Sequence, residues 1–391
     1  MTAISVSERL SISIILDGTE LDLTIFRINF LQILTGTNVY LPYGQLHLVD
    51  LTGYFQNNPV GDNQTIKIIL TTKDDNNKSN TVLYKMRVFK PDIVKQAGTS
   101  MYRFLLTYDA PRYLHESSSS SLGKGTSATA LGNISAACGL TFSSNVSTSD
   151  SQVWLGNFDR YCISANSICD AGYVDSKSCM MLGVTETGTM KYIDVSKLNY
   201  TSVKYSFSNV THSSNIVYPI VGKVNLITRS GYNNALSGYK AATVAQTPLV
   251  YNSSAYSIHT SVSATSPTST IAYNTNIAKA IKGGKVYFAP INCGNVHNNY
   301  ESALHQNRRL RSLYGVIFEL STVYTTSLQI LDTVELSFYD KQGSERIINK
   351  SVSGGYLIID KGIFVTASGT YYEKFRLARQ GNNSLPNSQG S

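Results

Sequence analysis

The stretch 125–198 decides how the rest of the chain is read. It opens as GTSATALGNISAACGL (125–140), crosses a polar segment, continues as WLGNFDRYCISANSICDAGY (154–173) and closes with MKYIDV (190–195). In the first part Ala130, Leu131, Ile134, Ala137 and Cys138 recur at helical spacing, which predicts a short amphipathic helix. Thr126 or Ser127 supplies an N-cap hydroxyl, and Gly139 stands where a left-handed C-terminal cap belongs. In the second part Phe158, Tyr161, Cys162, Ala165, Ile168 and Cys169 form the apolar stripe, with Asn157 as N-cap and Gly172 as stop. The two helices flank Trp154, the only tryptophan of the chain. No other segment is as clearly helical except 298–315, where Tyr300, Leu304, Leu310 and Leu313 share a face. The stretch is a small helical module inside a β-rich chain.

On its N-terminal side the pattern has period two. Leu10, Ile12, Ile14 and Leu16 alternate, Asp17-Gly18 turns, and Leu21, Leu23 and Ile25 alternate back, which predicts a hairpin. Further strands are expected at 65–70, 81–89 and 101–108, with Pro91 and Pro111 each marking a strand exit. Ser117 to Ser121 is a run of serines before Gly123-Lys124-Gly125 and predicts a linker. Its lysine lies between two glycines, so it is only a fragment of a phosphate-binding loop. On the C-terminal side alternation returns at Val203, Tyr205 and Phe207, then at 215–218 and 223–229. Residues 240–285 are poor in charge and read as loops and short strands. The chain ends with strands at 333–339, 346–352, 356–359 and 371–379, then a polar tail after Gln380.

The chain has 391 residues, so about two to four subdomains are expected. It is 42% hydrophobic and only 15% charged, with 26 tyrosines, which favours folded, β-rich and sparsely charged surfaces over disorder. The net charge of +8 is spread along the chain, densest at Arg308, Arg309 and Arg311, and no nucleic-acid-binding motif accompanies it. The five cysteines, Cys138, Cys162, Cys169, Cys179 and Cys293, match no zinc spacing, and three fall at apolar helix positions; buried thiols made in a reducing compartment are expected. The first residues carry no secretory signal, and no run of 18 apolar residues predicts a membrane span.

Catalytic patterns are weak. Asp74-Asp75 reads as a solvated turn, and His47 and His115 are isolated. His297 and His305 suit neither zinc nor an acid–base pair, and Cys293 with either histidine lacks a flanking signature of a nucleophile. The residues favour binding or architecture over catalysis.

In its order of elements the chain resembles the baseplate hub proteins of phage tails and related contractile injection systems. The resemblance rests on an Arg-aromatic exit (Arg112-Tyr113), a helix closing Ala137-Cys138-Gly139-Leu140, a polar stretch at Ser149-Asp150, then Trp154 with a helix behind it at 158–171. It continues with Thr187-Gly188-Thr189-Met190, a helix at 298–313, strands at 333–339, Ser353-Gly354-Gly355-Tyr356-Leu357-Ile358 and a closing Leu377-Ala378-Arg379. Where the family has a Gly-Asp pair before the penultimate strands, this chain has Leu331-Asp332.

The resemblance covers most of the chain and implies a mainly β protein with a small α+β middle module. Two tail-tube-like β-barrel domains are expected, at 1–115 and at 200–240 with 310–380. They are separated by the module at 116–199 and an insertion at 241–309, with a disordered tail at 381–391. It further implies a homotrimer that presents six barrels and joins the tail tube protein to the central spike protein. Other baseplate proteins and the tape-measure protein would be neighbours, and genomic DNA would meet it only in transit. No cofactor, catalytic residue or membrane insertion is implied, and the place would be the virion baseplate, assembled in the host cytoplasm. The rival expectation is a β-rich adhesin or carbohydrate-binding tail module, motivated by the Tyr, Asn and Ser content.

Overall fold

The structure, a computed structural model, describes residues 10–73, 79–96, 99–175, 178–200, 203–210, 217–229, 242–247, 257–262, 286–290, 297, 299, 303, 307, 316–342, 345–350 and 352–379. The first lobe contains β1 (Leu10–Leu16), β2 (Thr19–Glu20), β3 (Phe26–Gly36), β4 (Tyr43–Asp50), α1 (Tyr54–Asn57), β5 (Thr65–Lys73), β6 (Ser79–Gln96) and β7 (Thr99–Tyr108). Its strands run in the spatial order β3-β4-β7-β6-β5-β1, each pair antiparallel. Alternate residues point to one side, so Ile14, Ile33, Leu46, Ile68, Tyr84, Met86 and Phe104 from all six strands meet in one core.

Two expectations are corrected here. The predicted first hairpin is short. Asp17 (φ 47°) and Gly18 (φ 88°) make the left-handed turn, yet β2 returns for only two residues, and β1 pairs along its length with β5 instead. The cause is Asp22, whose carboxylate accepts the N–H of Thr24 at 2.9 Å and folds the chain into a turn before the ladder can extend. Pro91 also does not end its strand. β6 bulges between Val88 and Lys90 and continues to Gln96. Its pairing with β5 stops at Arg87, so beyond that point it is an edge, where the missing proline N–H is not needed.

Next come α2 (Pro111–His115), β8 (Ser121–Gly125), α3 (Ser127–Ala137), β9 (Thr141–Ser144), β10 (Gln152–Leu155), α4 (Tyr161–Ala171), β11 (Met180–Val184) and β12 (Thr189–Asp194). Pro111 opens α2, as it fits the first helical position. Thr126 caps α3 by accepting the Thr129 N–H, and Gly139 is left-handed at φ 74°, as the spacing predicts. The buried face of α3 holds Ala130, Leu131, Ile134 and Ser135, with Ala137 only partly covered. The second helix starts later than expected. Asn157 and Phe158 are both left-handed (φ 52° and 59°), Arg160 is the N-cap, and Phe158 is 69% exposed outside the stripe. Two successive left-handed residues turn the chain, so the helix cannot begin until they are passed. The serine run is not a free linker either. Ser118 is buried, donating to the Gly156 carbonyl at 3.0 Å and meeting Ser164 at 3.1 Å, and β8 pairs with β10.

The second lobe adds β13 (Ser206–Ser208), β14 (Val217–Pro219), β15 (Val221–Arg229), then a separate three-stranded sheet of β16 (Ala242–Thr247), β17 (Ser257–Val262) and β18 (Val286–Pro290). It resumes with β19 (Val316–Thr322), β20 (Thr333–Ser337), a hairpin of β21 (Tyr339–Gln342) and β22 (Glu345–Ile348), then β23 (Gly354–Thr366) and β24 (Tyr371–Arg379). Its strands run β15-β19-β24-β23-β20-β13-β14, with β13 parallel to both β14 and β20. Phe207, Phe318, Leu320, Val334, Leu336, Tyr356, Ile358, Phe375 and Leu377 form its core. The closing Arg379 is fully buried, its guanidinium 4.6 Å from the Tyr356 ring centroid and its Nη1 donating to the Ser353 carbonyl. Of the predicted helix at 298–315 only Asn299, Ala303 and Asn307 are described; Ala303 and Asn307 are helical, and the Ala303 N–H donates to the Asn299 carbonyl at 2.8 Å. Arg308, Arg309 and Arg311, Asp74-Asp75, Cys293, His305 and the tail after Gln380 lie outside the described residues.

Fourteen of the described strands form one continuous network, and β23 is the strand that makes it continuous. Its first half, 354–357, pairs with β20, while its second half, 360–366, pairs with β3 of the first lobe. β24 follows both halves, with a bulge between Ile358 and Asp360 at the changeover. Each half also serves a different core: Tyr356 and Ile358 belong to the second, Ile363 and Val365 to the first.

Candidate functional site

The changeover point carries charge. Lys361 is 3% exposed, and its ammonium donates to Glu186 Oε1 at 2.8 Å and to the Leu328 carbonyl at 2.9 Å, with Glu373 Oε2 at 3.6 Å. Glu373 is fully buried and accepts the hydroxyls of Thr326 (2.7 Å) and Tyr371 (2.8 Å); Tyr371 in turn accepts from Thr325 at 3.1 Å. Burial pushes the Glu373 carboxyl above the ordinary glutamate value, against the pull of Lys361 and the two hydroxyls. Burial alone would lower Lys361, but Glu186 and Glu373 outweigh it and hold the ammonium charged. Tyr84 of β6 completes the cluster; burial, then Glu373 and Glu186, push its phenol far up, so it stays neutral.

Glu186 comes from the turn between β11 and β12, closed by the Gly188 N–H to the Thr185 carbonyl at 2.9 Å. That turn touches everything around it. The Thr187 carbonyl accepts from Tyr108 of β7 at 3.3 Å, and its hydroxyl accepts from Gln329 of the second lobe at 3.0 Å. Gly188, at φ 84°, leaves no room for a side chain, since a Cβ there would stand 1.9 Å from the Tyr108 hydroxyl. Lys191 pairs with Asp332 at 2.6 Å, which also caps the Gln329 N–H at 2.9 Å. Leu331, where the resembling family carries glycine, takes a left-handed φ of 66° while its side chain is buried. The helical module is thus keyed into the seam between the two lobes through this β-turn and the Lys191–Asp332 pair beside it.

The module itself is held by three buried polar groups that the sequence did not single out for this purpose. Asp150, read as part of a polar stretch, is fully buried and accepts the Ser127 N–H (2.9 Å), the Ser127 hydroxyl (2.6 Å) and the Tyr173 N–H (2.8 Å). A carboxylate at the first turn of α3 is favoured by the helix dipole. Asp194 accepts the Cys179 and Ser196 N–H groups at 2.9 and 3.0 Å. Asn307 closes α4 from far along the chain, donating to the carbonyls of Gly172 (2.7 Å) and Asp170 (3.0 Å) and accepting the Met180 N–H (3.0 Å). Gly172 stops the helix with φ −65°, not left-handed; it is small because a Cβ would stand 1.8 Å from the Tyr192 hydroxyl.

His297 packs beside Trp154 and Tyr173, its Nε2 donating to the Ala171 carbonyl at 2.9 Å and its Nδ1 accepting from the Asn299 N–H at 3.2 Å. Burial lowers its pKa, opposed by the Ala171 carbonyl and Asp150, so at neutral pH it is an uncharged packing residue. The described thiols are buried; burial raises Cys162 and pushes Cys138 up to about 11, far from a nucleophile. Among the described residues no group of His, Cys, Asp and Glu could hold a metal ion, and no helix is long and apolar enough to cross a membrane. The exposed features are apolar instead: Phe89 (59%), Ile93 and Phe158, the edge strand β15 with Val221, Leu226 and Ile227, and the β21–β22 hairpin with Ile347 and Ile348.

No protein-family profile matches the chain, and no curated protein matches it in sequence. Solved structures do match its fold. A tail protein from Neisseria meningitidis MC58 aligns over 96% of this chain and 98% of its own with a TM-score of 0.57 at 8% identity. The 43 kDa tail protein of prophage MuSo2 from Shewanella oneidensis aligns over 95% and 98% with a TM-score of 0.58 at 10% identity. Prophage tail protein gp18 from Listeria monocytogenes EGD-e aligns over 97% and 95% with a TM-score of 0.51 at 10% identity. The mainly β chain, with its two lobes and the module keyed between them, shares its fold with these tail proteins over 95–97% of its length.

Proposed function

We propose that the chain is a structural component of a phage-type tail, a baseplate hub whose three copies form a ring between the six-fold tail tube and the three-fold central spike. The observation that carries this reading is the pair of β lobes fused through β23 in a chain with the fold of tail proteins. Three copies of a two-lobed chain present six β units, so one ring matches a six-fold partner above and a three-fold partner below. The lobes are 1–115 and 200–240 with 310–380, the module is 116–199, and 241–309 is an insertion. The role is architectural rather than catalytic, supported by a buried polar inventory spent on packing and capping. Its neighbours are the tail tube protein, the central spike, other baseplate proteins and the tape-measure protein, and DNA crosses its channel on ejection. It resides in the virion baseplate after assembly in the host cytoplasm. Light scattering and negative-stain imaging of the purified protein test this. Three-fold rings with a central hole are expected; a compact monomer at high concentration, with no ring beside tube or spike proteins, overturns it.

A further inference from the structure

Two surfaces of this chain are incomplete in ways that match each other. On the outward side of the first lobe, Lys67 of β5 and Lys85 of β6 stand directly opposite in the antiparallel ladder, both exposed. Like charges directly opposite repel at Cβ separations of about 5 Å. Neither has an ion-pair partner among the described residues: in the row beside them Asp109 is taken by Arg87 at 2.7 Å and Asp17 lies 3.5 Å from the Thr65 hydroxyl, while Glu20, two strands away, accepts the Ser13 hydroxyl. One row along, on the same side, Ile69 faces Leu83, and Leu83 is 40% exposed. The face therefore carries two cations without an ion pair among the described residues, between an apolar pair on one side and the Arg87–Asp109 pair on the other.

The second surface is the β21–β22 hairpin. Among the described strands the two pair only with each other, β21 being tied to the lobe where the Asn209 side chain bonds the Tyr339 N–H and carbonyl, and all of β22 is exposed. Two isolated strands are marginal in water, so such a hairpin gains from a partner. Alternation sorts its side chains sharply. Asp340, Ile347 and Glu345 share one side, while Tyr339, Lys341, Arg346 and Ile348 share the other. The first side is two anions flanking an isoleucine that is 45% exposed; Asp340 accepts the Asn349 amide at 2.7 Å, which leaves its charge in place, and the side complements the Lys67–Lys85 face. Among the described residues of one chain no ion pair joins the two surfaces. Leucine and isoleucine beside the lysines favour a protein partner over nucleic acid.

We infer that the acidic side of the β21–β22 hairpin docks on the Lys67–Lys85 face of a second copy of this chain. The contact is heterologous, second lobe to first lobe of the next copy, and such contacts close into rings when the rotation allows. This rests on the ring reading above and names residues for its interface.

The test is a charge swap in the full chain, with mass read by analytical ultracentrifugation across a concentration series. All four residues are exposed, so circular dichroism should show each variant folded. Lys67→Glu with Lys85→Glu should weaken self-association by about a hundredfold or more, since like charges meet across the contact. Asp340→Lys with Glu345→Lys should do the same, and the chain carrying all four changes should recover the wild-type assembly. A wild-type ring left intact by either double reversal, or a fourfold variant no better than the doubles, overturns the inference and leaves the ring reading standing. A wild-type monomer throughout removes the ring reading and this contact with it.

Discussion

Replacing Lys361 by methionine tests the seam most directly. The substitution keeps the length of the side chain and deletes the ammonium that lies 2.8 Å from Glu186 and 3.6 Å from Glu373. Both carboxylates are 2% exposed or less, so water cannot replace the lost partner. Breaking a buried ion pair by removing one member costs about 3–5 kcal/mol, a large share of the stability of most domains. The loss should depend on pH with a definite sign. Burial already raises the Glu373 carboxyl, and without Lys361 it must rise further. An acid whose folded pKa is raised adds stability below its unfolded value, about 4.3, and that stability fades as pH rises through the folded value. The deficit of Lys361→Met should therefore be largest near neutrality and shrink toward pH 4.5. Urea unfolding at several pH values, followed by Trp154 fluorescence, measures it. Adding Glu186→Gln should recover part of the loss, because the two residues are coupled. A deficit below about 1 kcal/mol at pH 7.5, or one that grows on acidification, would show that the cluster is wet and that the seam is held by packing alone.

Other sites give independent checks. Asp150→Asn should cost about 2–3 kcal/mol in thermal unfolding, because the amide turns its N–H₂ toward donors at Ser127 or Tyr173. Asp50 accepts the N–H groups of Thr52, Gly53 and Phe55 at 2.8–3.0 Å. Burial opposes its ionisation, yet these donors hold its pKa below the ordinary value. Its stabilisation is present above about pH 3.9 and is lost as pH falls through the lower folded pKa. Asp50→Asn should flatten that acid limb, and an unchanged limb in a stability–pH titration would count against the assignment. Gly355→Ala places a Cβ 2.0 Å from the Tyr200 carbonyl oxygen, a backbone atom that cannot swing away. A loss of about 1–3 kcal/mol is expected, against none for Gly61→Ala, whose Cβ meets nothing within 4 Å.

Much of this architecture could be read from local pattern. Period-two runs located β1, β5, β6 and β7 of the first lobe and β13, β14, β15, β20 and β24 of the second, β24 because Tyr371, Phe375 and Leu377 alternate against one buried face, but they missed β3, β4 and β19 and ended β23 at Ile359. α3 was legible to its caps because Thr126 and Gly139 act through their own backbone neighbours. What was not legible is long-range. Asp150 looks like a solvated polar residue until Tyr173 arrives to donate to it, and Asn307 caps a helix 135 residues away from it. Lys361 has no sequence signature: in an alternating strand it reads as a surface lysine, and only the meeting of three segments buries it. The shortened first hairpin and the persistence of β6 through Pro91 have the same origin, since the choice of partner strand outweighs local turn chemistry.

The position of Lys361 gives the seam its logic. On β23, Ile358 faces the second core and Ile363 the first, so the strand must change neighbours between them. A strand that serves two apolar cores could slide, because a shift by two residues keeps the same alternation of faces. A buried lysine removes that freedom: any slide takes the ammonium away from Glu186 and Glu373 and places it among apolar side chains, where an unpaired charge is far costlier than a lost methyl contact. The acid that receives it comes from the module turn, so the same contact that sets the register of β23 also seats the module. Apolar packing would fill this seam with equal stability but would accept several registers. In a chain proposed to hold two lobes at a fixed angle around a ring, one register is what the geometry needs. Replacing Lys361, Glu186 and Glu373 together by apolar residues of similar volume should accordingly retain most of the stability while broadening the distribution of lobe arrangements, readable as heterogeneous exchange protection of β3 and β23 amides.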